Sequence, residues 1–437
     1  MQTTHIQWAT ACVLALCAGA TSAASILLEG GTLYPVSSAP VENGALLITD
    51  GKIAAIGTSG SFDVPADAAR VPVAGKRVYP GFIAANSVLG LTEIEAVRAS
   101  NDYAEVGPFN PNVRAEVALN PDSEAIPVTR AAGIVAVNVA PQSTQGGLFT
   151  GTAAVIKLQG WTWEEMTLKA DAGVHLVWPS KRAPDFLPAP VIAELRKAAD
   201  ANLALIDEVS ANARRYAEAA AAGAISGSAD LRYAALAPVF ARRQKLFVHA
   251  EDYAAVRGAI AFCSGEKLDC VLVGAQDGWR LAAELKQYDI PVILGSPFAL
   301  PLRRHEGYDT VYRNAARLHA AGVRFAIAGD GSGFAAPLEK NLPHLAAQAV
   351  AFGLPAEQAL AAITLSPARI LGVGARLGSL EVGKDASLLV SDGDPLDFDS
   401  RIVAVYIDGQ AVDLDTRHTR LYERYRRREP GAAGSAR

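Results

Sequence analysis

Two groups of short alternating segments, one near each end of the chain, constrain the fold more than anything else, because neither can stand alone. The first group is Ser25 to Leu33, Gly44 to Thr49 and Lys52 to Gly57, with Asp50-Gly51 joining the last two. The second is Ala386 to Ser391, Ile402 to Ile407 and Gln410 to Val412, with Asp408-Gly409 as its joint. Asp-Gly between alternating runs predicts a type I′ hairpin at both places. Neither group has strands enough to bury both of its faces. Residues 25–78 and 374–415 are therefore expected to combine into one small β-sandwich, with residues 79–373 inserted between its halves.

The insertion contains eight apolar runs: Val78–Ala85, Ile134–Ala140, Thr152–Leu158, Gly173–Trp178, Leu246–Ala250, Cys270–Val273, Pro291–Leu294 and Phe325–Ala328. Most are continuous rather than alternating, which is how parallel strands covered on both faces read. Helical patterns separate the later runs. Pro190 to Ala222 is long, Ala-rich and amphipathic, Ser366-Pro367 fits an N-cap with Pro at N1, and Thr162 with Glu165 fits a capping box. The expectation is an α/β fold, a (β/α)8 barrel of TIM type, whose sites lie at the C-terminal ends of the strands. Thr92 to Arg130 leaves that face as a long polar loop, the kind that is usually functional.

The formal net charge of −5 gives no basic footprint, so no nucleic-acid partner is expected. Trp8 to Ala20 is apolar and is followed by Thr21-Ser-Ala-Ala24, the pattern of a secretory signal over residues 1–24. Export, most simply to a periplasm, is the expectation. Cys12 and Cys17 would leave with the signal, and Cys263 and Cys270 would remain. These two flank a short turn, and their spacing leaves a disulfide and a pair of half-buried thiols as alternatives. Residues 416–437 form an Arg-rich tail, read as a frayed, solvated helix.

The far end carries the most specific motifs: Leu342-Pro-His-Leu-Ala-Ala-Gln-Ala-Val-Ala-Phe-Gly353, Ala362-Ile-Thr-Leu-Ser-Pro-Ala368, Leu377-Gly-Ser-Leu-Glu-Val-Gly-Lys-Asp-Ala386 and Asp392-Gly-Asp-Pro395. With these, nearly the whole chain after residue 24 resembles the amidohydrolase superfamily, in particular its imidazolonepropionase-like branch. The family's first barrel strand runs Pro-Gly-hydrophobic-hydrophobic-Asp-x-His-x-His. Here Pro80-Gly81-Phe82-Ile83 opens the match, and Asn86 and Val88 stand at the two histidine positions.

The resemblance implies metal ligands at the ends of strands one, four, five, six and eight. His249 matches on strand five and Asp330 on strand eight. Gly274 stands where strand six has a histidine, and strand four offers His175 but no acid, with Lys181 nearby. A catalytic zinc normally takes three protein ligands. The metal implied is thus at most one divalent ion, such as zinc, on His249, Asp330 and a carboxylate of the loop that bears Glu93, Glu95, Asp102 and Glu105. Asp330 is the expected base toward water, its pKa raised at an apolar mouth, with His249 beside it. Asn86 and Gly274 are expected to meet the substrate, a small polar or amide-containing molecule. Two readings follow: an exported hydrolase of carbon–nitrogen bonds, or a degenerate barrel that binds a ligand, self-associates or pairs with an intact amidohydrolase.

Overall fold

The computed structural model describes residues 25–143, 147–184, 186–225 and 229–427. Residues 1–24, expected to be a signal, residues 144–146, 185 and 226–228, and tail residues 428–437 lie outside the described residues.

The two chain ends share one continuous sheet. Its order is Gln410–Ala411, Ile402–Ile407, Leu388–Ser391, Arg77–Pro80, Ile26–Leu33, Val41–Thr49 and Lys52–Thr58, with Ala69–Pro72 also pairing to Ile26–Leu33. Both Asp-Gly joints are hairpin turns, with φ of 53° and 75° at Asp50 and Gly51 and 49° and 76° at Asp408 and Gly409. Positive φ at both central residues is what a type I′ turn demands. Alternate residues serve two small cores: Leu28, Leu46 and Ile48 pack on one side, Leu27, Ala45 and Leu47 on the other.

The barrel has eight strands in sequence order. They are β1 (Phe82–Ser87), β2 (Ile134–Val139), β3 (Phe149–Lys157), β4 (Thr167–Val177), β5 (Lys245–Ala250), β6 (Cys270–Gly274), β7 (Val292–Leu294) and β8 (Phe325–Ile327). Every predicted run falls on one of them. The first run, however, is divided: Val78 to Pro80 belongs to the composite sheet and Phe82 onward to the barrel. Gly81 is the handover, and a Cβ there would overlap Val135 of β2. Between β8 and β1 the sheet path ends, and the Ile83 N–H donates instead to the Ile363 carbonyl at 2.8 Å.

The strands are not all parallel, contrary to the reading of their apolar runs. β1 and β2 are parallel, and so are the pairs from β4 through β8. β3 is antiparallel to both neighbours. The reason is length. Residues 140–148 are too few for a parallel crossover, which needs a dozen or more, whereas a return loop fits. From β4 onward each connection carries a helix, including Ala189–Ala221, Tyr253–Glu266 and Asn314–Ala321.

Two local expectations resolve differently, and one open pair of alternatives is decided. The helix around Pro367 runs Leu365–Ile370 and is preceded by Thr364, so Ser366 lies inside it and is not its cap. Thr162 accepts the Glu165 N–H, but the Glu165 carboxylate takes the Trp161 N–H, one residue before the position a full capping box uses. Cys263 and Cys270 are joined as a disulfide, with Cα atoms 6.1 Å apart.

Candidate active site

A cavity of about 280 Å³ opens at the C-terminal ends of β5 to β8. Its size is at the small end of ligand pockets. Val273, Ile293, Leu294, Ile327 and Leu345 line its apolar part, and Pro297, Phe298 and Tyr312 its outer wall. The polar side chains brought to it include Asn86, His249, Glu251, Gln276 and Asp330. The loop forming the outer wall is pinned by ion pairs. Arg303 grips both Asp277 carboxylate oxygens, at 2.9 and 2.6 Å, and reaches Glu306 at 2.7 Å. Arg280 joins the same two acids. Such bidentate pairing fixes geometry as well as charge.

The β4–β5 wall holds a histidine pair. His249 is the penultimate residue of β5, and its Nε2 lies 2.8 Å from Nδ1 of His175 on β4. His175 is fully buried, stacks on Phe247 at 4.7 Å, and leaves its own Nε2 without a hydrogen-bond partner among the described residues. Burial pushes the His249 pKa down to about 4. Burial, and secondarily its histidine neighbour, pushes His175 well below the usual range. Both rings are therefore neutral at pH 7, because desolvation disfavours the charged form.

Two residues beyond His249, Glu251 turns its carboxyl over Gly274. Gly274 sits at φ +86°, and a Cβ there would overlap that carboxyl. The glycine at the expected histidine position is thus what admits Glu251. The carboxyl is open to the cavity, while protein packed around the rest of it, and then Asp252 and Asp277, push its pKa up to about 7. The Gln276 N–H donates to Oε2 at 3.2 Å and partly opposes that rise.

The opposite wall comes from β1 and β8. Asn86 is buried and packs against Gly331, whose φ of +73° and absent Cβ make room for its amide. Its Oδ1 finds no partner among the described residues. Asp330 is exposed, and its carboxylate accepts the Ser332 N–H at 2.8 Å. Behind it Glu339 is buried on the turn Ala336–Asn341, where desolvation and then Asp330 push the carboxyl up to about 8 against a Ser87 hydrogen bond.

The structure thus places Asn86, His249, Gly274 and Asp330 at one cavity together with Glu251, and sets His175 against His249 and Glu339 against Ser87 outside its lining. Glu251 had a legible signal, a carboxylate two residues after the strand-end histidine. Glu339, in Pro337-Leu-Glu-Lys340, reads as an ordinary solvated charge.

The implied metal does not fit this arrangement. Among the described residues no three His, Cys, Asp or Glu side chains are grouped so as to hold an ion. His249 has committed Nε2 to His175, and Glu251 fills the space above Gly274. Of the loop acids, Glu93 accepts from Asn120, and Glu95 accepts the Tyr103 hydroxyl at 2.7 Å while packing against Gly333. The ligand set His249, Asp330 and a loop carboxylate is not assembled.

Residues 198–412 match the model of the Amidohydrolase family. The chain is 26% identical over 389 residues to an imidazolonepropionase of Stenotrophomonas maltophilia, covering 83% of this chain and 89% of that one. A crystal structure of an amidohydrolase from Thermotoga maritima is 27% identical, with a TM-score of 0.77 over 89% of this chain and 99% of its own. Molinate hydrolase, 17% identical with a TM-score of 0.55, covers 90% of this chain and 95% of its own, and shares the fold. Barrel, composite sheet and these matches agree: the chain belongs to the amidohydrolase superfamily, in its imidazolonepropionase-like branch.

Proposed function

We propose that the protein hydrolyses a carbon–nitrogen bond in a small polar amide, cyclic amides included, bound between Glu251, His249 and Asp330. One observation carries this reading: two carboxyl groups line the same small cavity, and one of them, Glu251, is poised near neutrality by the protein packed around it. A carboxyl that keeps its proton near neutral pH can act as the acid while its neighbour acts as the base. Asp330 takes a proton from water as the water oxygen bonds to the carbonyl carbon. Glu251 gives its proton to the leaving nitrogen as the carbon–nitrogen bond breaks. Proton exchange with solvent then restores both groups. General acid–base transfer of this kind contributes about 10²–10⁴-fold. The likeness to an imidazolonepropionase supports a compact amide-containing substrate, and the cavity volume agrees.

The test is turnover of a panel of small linear amides, cyclic amides and dipeptides by protein purified without chelator, with metal content measured alongside. Turnover that falls at least a hundredfold in both Asp330→Asn and Glu251→Gln supports the reading. Turnover untouched by either change would sink it.

One observation favours a second reading. Because the expected ligand trio is not assembled, the barrel also suits a ligand-binding module or a non-catalytic partner of an intact amidohydrolase. Saturable binding of a panel amide without turnover would select it. We also propose export. The apolar segment Trp8 to Ala20 supports this. N-terminal sequencing of mature protein starting near residue 25 is the expected result, and an intact Met1 in an extracytoplasmic fraction would count against cleavage.

A further inference from the structure

The His175–His249 contact holds one proton between two nitrogens, and which nitrogen carries it decides what His249 shows the cavity. In one arrangement His175 donates from Nδ1, and His249 accepts at Nε2 and carries its proton on Nδ1. In the other, His249 donates from Nε2 and offers a bare Nδ1. Two observations separate them. The Nε2 of His175 is buried with no partner among the described residues. In the second arrangement that atom would be an orphaned N–H donor, the rarer kind of unsatisfied buried group. In addition, the residues lining the cavity include the carboxyls of Glu251 and Asp330 and no lysine or arginine. A wall of that character favours an N–H turned toward it over a lone pair.

We infer that His175 is a positioning residue: by donating Nδ1–H to His249 Nε2 it fixes the tautomer in which His249 presents Nδ1–H to the cavity. The stack on Phe247, nearly parallel at 18°, fixes the plane of the His175 ring, and within that plane the 2.8 Å contact selects the orientation, since a half-turn would put a carbon where Nδ1 stands. His249 is then a neutral hydrogen-bond donor on a strand end, 74 residues away in sequence from the group that sets it. For its catalytic consequence alone the inference rests on the amide-hydrolase reading. There, the Nδ1–H faces the carbonyl oxygen, and its hydrogen bond strengthens as negative charge develops on that oxygen. Donors so placed are worth about 10²–10³ in turnover.

The deciding experiment is nitrogen NMR on the full chain with ¹⁵N-labelled histidine, which has seven such residues to resolve, His249 being assigned by its loss in His249→Asn. The expected result is a neutral His249 protonated on Nδ1 in the wild type. In His175→Phe, which keeps a ring on Phe247 but has no donor, the His249 signal shifts to the Nε2-protonated form. In His175→Asn, whose amide nitrogen stands near the lost Nδ1, the Nδ1-protonated form returns. Turnover should fall at least a hundredfold in His175→Phe and recover to within about tenfold of wild type in His175→Asn. A wild-type His249 protonated on Nε2 overturns the inference, whatever the variants do. So does a tautomer that His175→Phe leaves unchanged. If the tautomer behaves as stated but no amide is turned over, the inference stands and the hydrolase reading falls.

Discussion

The two halves of the barrel are built differently. From β4 to β8 the strands are parallel, helices cover the connections, and the lining of the cavity is drawn almost wholly from this half. From β1 to β4 a reversed strand, a return loop and a long polar segment take the place of regular crossovers. Only Asn86, among the described lining residues, comes from that half. The family match follows the same division, beginning at residue 198. The lesson is that the half keeping crossover geometry keeps the strand-end chemistry. The other half has become mainly a wall.

The comparison is broken most directly by unequal effects on turnover. Glu251→Gln and Asp330→Asn should each lower kcat by about 10²–10³-fold with KM little changed. Asn86→Ala, from the other half, should cost only about tenfold and mostly in KM, a loss of roughly 1.4 kcal/mol of binding. Equal losses in steady-state kinetics would remove the distinction.

Next in size is Gly274→Ala. The left-handed backbone and the overlap with Glu251 both oppose a side chain there. A destabilisation of about 1–3 kcal/mol in urea unfolding is expected, together with turnover approaching that of Glu251→Gln.

The pH dependence of stability probes the seam where the halves meet. Glu339 moves from an ordinary value of 4.5 to about 8 on folding. Below 4.5 it is protonated in both states, and its full contribution is present. Between 4.5 and 8 the unfolded chain has ionised while the folded one still holds its proton, so that contribution is lost at up to about 1.4 kcal/mol per pH unit and is gone once pH has risen through 8. Glu339→Gln should therefore gain on the wild type as pH rises from 5 to 9 in thermal melts. Parallel curves for the two proteins would exclude this origin.

The smallest functional effect is expected from the disulfide, which lies at the N-terminal end of β6, away from the cavity. Opening so short a loop costs about 2.5 kcal/mol of stability by chain entropy. Turnover of Cys263→Ser/Cys270→Ser at 25 °C should stay within about twofold of wild type.

Much of the fold was legible because continuous apolar runs and Asp-Gly hairpins are local signals. The run Phe325–Ala328 overshoots its strand by a single residue. The direction of β3 was not legible, since a buried strand reads the same from either end, and only loop length distinguishes a return from a crossover. Nor was the division at Gly81, because an apolar run does not record that its two ends join different sheets. At the site, Asn86, His249, Gly274 and Asp330 were found by resemblance. The contact between His175 and His249 spans neighbouring strands joined by residues 178–244, and no spacing rule reaches across such a connection.

The handover at Gly81 also orders the events of biosynthesis. Arg77–Pro80 is an interior strand of the composite sheet, flanked by Ile26–Leu33 and by Leu388–Ser391, about 300 residues downstream. At about 5–20 residues per second, a ribosome needs roughly 15–60 s to supply that second neighbour. Until then the N-terminal strands present an unpaired edge, a template for joining other chains. The segment Phe82–Ser87 that follows can meanwhile begin the barrel. The last strands to be synthesised are thus the ones that close the first sheet begun.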